Sequence, residues 1–181
     1  MNEPEFRLVP IRELHIHEEI DEGHVRQLVE DIRRTGWVFE PLWVDGPTGV
    51  ILNGHHRFRA LQELGAASVP AWVFDYEDAR VRLRRWRRGP SISKVEVRQR
   101  GREGRPFPKK TTRHHIDHDL PAHPTPLVAL WPRTWLTRSR IGLLPVLPLE
   151  SRAPHPAAER LPAPGGRRTH ASPLRAPTPR T

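Results

Sequence analysis

The chain has 181 residues, no cysteine and a formal net charge of +9, which allows one ordinary domain with an extension and excludes disulfides, thiolate metal sites and a cysteine nucleophile. No segment approaches the roughly 20 apolar residues that span a bilayer, and the opening Met1-Asn2-Glu3-Pro4-Glu5 lacks the basic-then-apolar order of a signal peptide, so a cytoplasmic protein without a membrane partner is expected. The charge is unevenly placed: residues 1–80 sum to −7, residues 81–120 to +9 and residues 121–181 to +7. An acidic core region argues against DNA held across a basic folded face, which leaves DNA a disfavoured partner.

In chain order, Phe6 to Pro10 reads as a first strand stopped by proline, followed by a turn at Ile11 to Leu14 and a loop to Gly23. From His24, the apolar residues Val25, Leu28, Val29 and Ile32 recur at helical spacing, and Gly36 is placed to end that helix. Pro41 to Val44 and Val50 to Leu52 read as a hairpin around Asp45-Gly46-Pro47-Thr48-Gly49. A second helix is expected from about His56 to Leu64, closed by Gly65, and a fourth strand over Pro70 and Ala71 to Phe74, closing on Asp75-Tyr76. A third helix is expected from an N-cap at Ser91 toward Gly101 or Gly104. The sum is a small mixed α/β layer of the α+β type. Thirteen of the 21 prolines follow residue 120, so residues 135–181 are expected to be a low-complexity, disordered tail.

Three segments carry chemistry. The first is Asn53-Gly54-His55-His56-Arg57, between an apolar strand and a helix. A glycine turn re-entering as a helix aims backbone N–H groups and the positive helix end at one point, where phosphates bind. Arg57 can grip phosphate oxygens with a planar fork, and each imidazole can donate a hydrogen bond or carry a proton near neutral pH. The plainer reading is a polar turn whose histidines cap the helix. The second segment, Lys109-Lys110-Thr111-Thr112-Arg113-His114, offers hydroxyl and cationic donors to a phosphate from another side, or is a solvated basic loop. The third is His17-Glu18-Glu19, where a carboxylate near a phosphate pocket can act as general base, or is merely solvated.

Two weaker patterns stand beside these. His114, His115 and His118 would converge on a metal only if they lay on one helical face. Trp86, among Arg84, Arg85, Arg87 and Arg88, could stack on a base, whereas Trp37, Trp43 and Trp72 suit core roles.

With those residues in view, the stretch from about Phe6 to Tyr76 resembles the ParB/sulfiredoxin-like nucleotide-binding domain, whose core has a Gly-x-x-Arg turn between strand and helix, here Gly54 to Arg57. Sulfiredoxins carry a cysteine in that turn, where this chain has His55. Chromosome-partitioning ParB proteins continue into a helix-turn-helix DNA reader, of which the Pro-rich remainder shows no sign. The ParB-like free serine kinases are most similar: Ile16-His17-Glu18, the turn at Asn53 to Arg57 and the segment Lys109 to His114 match their Pro-His-Glu-like loop, Asp-Gly-His-His-Arg turn and Pro-Lys-Thr-Thr-Arg-His segment.

The resemblance implies a ParB/sulfiredoxin-like domain over residues 5–120, with its core at 6–76 and a second clamp at 105–118. It further implies phosphoryl transfer from ADP or ATP, with Mg2+, to a small-molecule hydroxyl, that of free L-serine. Glu18 would be the base. Gly54, His55, His56 and Arg57 would hold the donor phosphates, with Thr111, Thr112, Arg113 and His114 closing on them. Asn53 falls at the catalytic position where the family turn opens with Asp. An amide accepts no proton and partners Mg2+ less well, so a non-catalytic nucleotide-binding regulator with a DNA or protein partner stays open as the alternative. The link from Asp75 to Pro106 is also much shorter than the corresponding segment of the kinases.

Overall fold

A computed structural model describes residues 3–132 of the chain. In order they form β1 (Glu5–Pro10), α1 (Glu22–Thr35), β2 (Trp37–Val38), β3 (Leu42–Asp45), β4 (Ile51–Asn53), α2 (His55–Glu63), β5 (Ser68–Phe74), β6 (Val81–Arg85), α3 (Lys94–Glu103), β7 (Thr112–Ile116) and β8 (Thr125–Pro126), with 3-10 turns at Ile11–Glu13 and Leu127–Leu130. The tail expected at 135–181 lies outside the described residues. Among the described residues no helix is long and apolar enough to cross a membrane.

The central sheet has the order β1-β5-β3-β4. β5 pairs antiparallel with β1 and parallel with β3, and β3 forms the expected hairpin with β4. The parallel step needs a crossover, which α2 supplies. β5 contains Pro70, as expected, and begins two residues before it, at Ser68. Pro70 faces Leu8 one residue before the parallel pairing begins at Ala71, so its missing N–H lies outside the β3 ladder.

Val50, Ile51 and Leu52 are all buried, because successive residues of this stretch point to opposite faces and both faces are covered. On one face Ile51, Leu42, Val44, Val69 and Ala71 meet Val25 and Ile32 of α1 and Phe58 and Leu61 of α2. On the other, Val50, Leu52 and Phe74 meet Tyr76, Val97 of α3, Phe107, and Val81 and Ile116 of the antiparallel β6–β7 ribbon. The result is the expected α+β architecture, a mixed sheet with packed helices.

Capping sets the helix bounds. Asp21 accepts from the N–H groups of Gly23 and His24 and starts α1 ahead of its first apolar residue, and Gly36 ends it in the left-handed conformation. In α3 the cap is Ser93, not Ser91: its hydroxyl oxygen accepts from Glu96 N–H at 3.1 Å. One feature of the second face had no signal in the sequence reading. Asp45, fully buried, accepts from Arg98 Nε at 2.7 Å and Nη2 at 3.0 Å, from Tyr76 N–H at 3.2 Å and from the Thr48 hydroxyl. This pair ties α3 to the end of β3.

Candidate active site

β4 ends at Asn53, and the chain turns through Gly54 (φ 97°) into α2. A side chain there would be strained twice, by the positive φ and by a Cβ only 3.0 Å from the Leu42 side chain and 3.1 Å from Arg57 Nη1. Phe58 N–H reaches Gly54 O at 2.8 Å, and no side chain caps the helix. The first-turn N–H groups and the positive helix end are thus left for an anion.

The loop ahead of α1 joins this turn to the second segment. Its backbone bonds Gly49 and Ile51 through His15, and Phe107 through His17 and Glu19. That places Glu18 inside the turn at 110–112. Glu18 Oε1 accepts from Lys110 N–H at 2.6 Å; Oε2 accepts from Thr111 N–H at 3.2 Å, Thr112 N–H at 2.8 Å and the Thr112 hydroxyl at 2.7 Å. Lys110 has φ 59°, the one positive φ outside glycine among the described residues, and this conformation makes successive N–H groups converge into an anion-binding concavity. Oε2 is saturated by three donors. Oε1, with one, keeps a lone pair for a further hydroxyl.

A cleft of about 570 Å³ opens between the two segments. Glu18, Asn53, Gly54, His55, His56, Arg57, Thr112, Arg113 and His114 all line it, so Arg57 and Arg113 share one cavity although 56 positions separate them. Asn53 is exposed. Thr111 is absent from the lining; its hydroxyl donates to Pro108 O at 2.5 Å. Arg57 is anchored by Pro41 O at 3.1 Å and Glu40 at 2.6 Å. The Arg113 guanidinium lies 4.7 Å over the Trp86 ring, and Trp86 and Trp43 also line the cleft. Trp43 was expected only in the core.

The histidines differ from the sequence reading, which allowed them a proton near neutral pH. Burial lowers His17 to about 4 and His114 to about 3, and holds His55 well below its ordinary value. His56 is lowered too, first by burial, and its Nε2 accepts from Asp21 N–H at 2.9 Å. All four are neutral hydrogen-bonding groups at pH 7, and Arg57, Arg113 and Lys110 bring positive charge to the cleft.

Tyr76 was missed as part of this site, and His17 was read only as a neighbour of Glu18 with no role of its own. His17 bridges Ile51 O at 2.6 Å and the Thr112 hydroxyl at 2.9 Å, and Tyr76 OH lies 2.5 Å from His114 Nε2. Only the pairing of distant backbone segments brings them there; the one local hint was that His17 adjoins Glu18. The helical metal reading of His114, His115 and His118 fails because His114 and His115 lie on a strand and point to opposite sides, with His118 beside Glu3 at 3.4 Å. Among the described residues no group of three or more His, Asp or Glu is placed to hold a metal ion.

No family model matches the chain. It is 40% identical over 83 residues to an ATP-dependent L-serine kinase of Staphylothermus marinus, a match covering 44% of this chain and 33% of that protein. It is 33% identical over 88 residues to a ParB-like protein of Sulfolobus acidocaldarius, covering 49% and 44%. The chain therefore spans a third to under half of the length of these relatives. A solved free serine kinase in complex with AMP shares the fold, with a TM-score of 0.63 at 15% identity over 71% of this chain and 93% of that one. The described domain is thus similar in sequence to L-serine kinases and to a ParB-like protein, and it shares the fold of the solved serine kinase.

Proposed function

We propose that this domain is a phosphotransferase that moves a phosphoryl group from ATP or ADP to the hydroxyl of free L-serine. The observation that carries the reading is one cleft in which the Glu18 carboxylate lies between two phosphate-binding arms that come from distant parts of the chain. The donor phosphates sit on the uncapped start of α2 and between Arg57 and Arg113. Glu18 Oε1 takes the proton of the acceptor hydroxyl as its oxygen attacks phosphorus. Such a reaction asks the protein mainly for alignment and charge neutralisation, which these groups supply. Mg2+ would arrive on the nucleotide and neutralise charge between phosphate oxygens, since among the described residues no acidic cluster forms a cage for it.

The test is incubation with free serine, Mg2+ and either ATP or ADP, with phosphoserine as the readout. Nucleotide binding without phosphoserine from either donor would favour a second reading, a nucleotide-binding regulator. Two observations support that alternative: Asn53 lacks the charge of the family Asp, and Arg84 stands directly across the β6–β7 ladder from Arg113, a like-charge pair that calls for an anion. A regulator of DNA would show affinity that falls steeply with salt and survives deletion of residues 135–181.

A further inference from the structure

Glu18 does not meet the Thr112 hydroxyl alone. Thr112 Oγ1 lies 2.7 Å from Glu18 Oε2 and 2.9 Å from His17 Nε2. The other ring nitrogen, His17 Nδ1, lies 2.6 Å from Ile51 O, which can only accept, so Nδ1 carries the proton and Nε2 of the neutral ring is an acceptor. His55 Nε2, 3.1 Å from the same Nδ1, does not change this: an unprotonated Nδ1 would set a lone pair against the carbonyl. Thr112 therefore has one hydroxyl proton and two acceptors for it.

We propose that Thr112 is a two-position hydroxyl and His17 the positioning residue that supplies its second position. While Glu18 is charged, Thr112 donates to Oε2. When Glu18 takes the acceptor's proton on Oε1, the hydroxyl turns to His17 Nε2. The inference rests on the phosphotransferase reading only for the source of that proton. The step balances: the acceptor O–H bond breaks as its oxygen bonds phosphorus, the phosphorus bond to the donor's bridging oxygen breaks with its electron pair leaving on the nucleotide, and the proton stays on Glu18 until product departs. No proton is transferred to His17. Its role is to keep the Thr112 hydrogen bond made in both states, which favours protonation of Glu18 and so makes it a more effective base.

The ring is suited to this because it is fully buried, and burial keeps it neutral near pH 7. The charged and titratable groups around the line are His24 from α1, His55 and His56 from α2, His114 and Arg113 from β7, Arg87, and Asp21, Lys109 and Lys110 about the turn. His55, His56 and His114 are neutral near pH 7 and Lys109 is paired with Asp21 at 2.8 Å; Glu18, the carboxylate that the hydroxyl touches, is the group whose ionisation turns it.

Two measurements on the full chain test this. In the pH profile of kcat/KM for phosphoserine formation, Thr112→Val removes a donor from the charged carboxylate and should move the acid limb up by about one pH unit. His17→Phe removes the second position and should move the same limb down, with kcat reduced more than the KM for nucleotide. Thr112→Ser should recover the wild-type limb. Shifts of both variants in one direction, or none, overturn the proposal. The second measurement needs no turnover: the 15N resonances of His17 in the free protein. Glu18→Gln, a neutral stand-in for the protonated acid, should move Nε2 to the hydrogen-bonded acceptor position while Nδ1 stays protonated, and Thr112→Val should abolish that change. An unmoved Nε2, or a proton on Nε2 in the wild type, overturns the inference even in a protein that makes phosphoserine. Absence of phosphoserine with the resonance change intact rejects the kinase reading and leaves the hydroxyl switch standing.

Discussion

The two arms of the cleft rest on opposite faces of one sheet, and they are built in different ways. The α2 arm follows from local chain geometry: an apolar strand, a glycine with positive φ, and a helix whose Phe58 and Leu61 sit in an apolar cluster. The β7 arm depends on distant partners. Its turn is organised by the Glu18 carboxylate from 92 to 94 positions earlier, and its face of the sheet contains polar supports, the Asp45–Arg98 pair and the enclosed histidines. One arm is thus shaped by its own sequence, whereas the other takes shape only when Glu18 is seated in it. Chemistry and organisation of the second arm are therefore coupled.

The sharpest way to probe that coupling is Glu18→Gln, which keeps an acceptor for the turn and removes the base. Phosphoserine formation should fall by about 10²–10⁴-fold, while nucleotide affinity, measured by calorimetry, changes far less. Equal losses of both would mean that Glu18 serves only to order the β7 arm. Arg98→Ala leaves a buried carboxylate without its partner and should cost roughly 3–5 kcal/mol in a urea titration. It should loosen the β7 arm while the α2 arm keeps its order, as hydrogen exchange would report; uniform loosening would erase the contrast between the arms.

Acid offers a graded test of the same face. The unfolded chain protonates its histidines near 6.5, whereas in the fold His17 does so at about 4 and His114 at about 3. Between these values the unfolded state holds more protons, so stability is complete above pH 6.5. It declines as pH falls toward 4 for His17 and 3 for His114, by on the order of 3 kcal/mol for His17. The melting temperature of His17→Phe should depend less on pH across that window. Gly54→Ala acts on the other arm and should cost about 1–2 kcal/mol through its positive φ, with weakened nucleotide binding and an undisturbed turn at 110–112. The smallest effect expected is a gain: Asn53→Asp restores a proton acceptor at the mouth of the cleft and should raise turnover without altering melting temperature.

How much of this was legible depended on how local each signal is. The α1 face, the hairpin, the Gly54 turn and α2 were readable because periodicity and glycine placement act over a few residues. The β6–β7 ribbon escaped because Val81 and Leu83 alternate with Arg82 and Arg84 over too short a stretch to mark a strand. β2 and β8, two residues each, left no pattern at all. Ser91 and Ser93 are equivalent as letters, and only the backbone decides which hydroxyl meets Glu96 N–H.

The same division holds for the site. Sequence alone determined the chemistry available, namely the glycine turn into a helix with its histidines and arginine, the hydroxyls and cations of the second segment, and the Glu18 carboxylate, since residue type and short spacing specify donors, acceptors and charge. Only the tertiary structure decided that Glu18 sits in the 110–112 turn, that the histidines are neutral, and that Asp45 and Arg98 brace one arm. Each depends on burial and on contacts between segments far apart in the chain, and both arise only when the two faces of the sheet are covered.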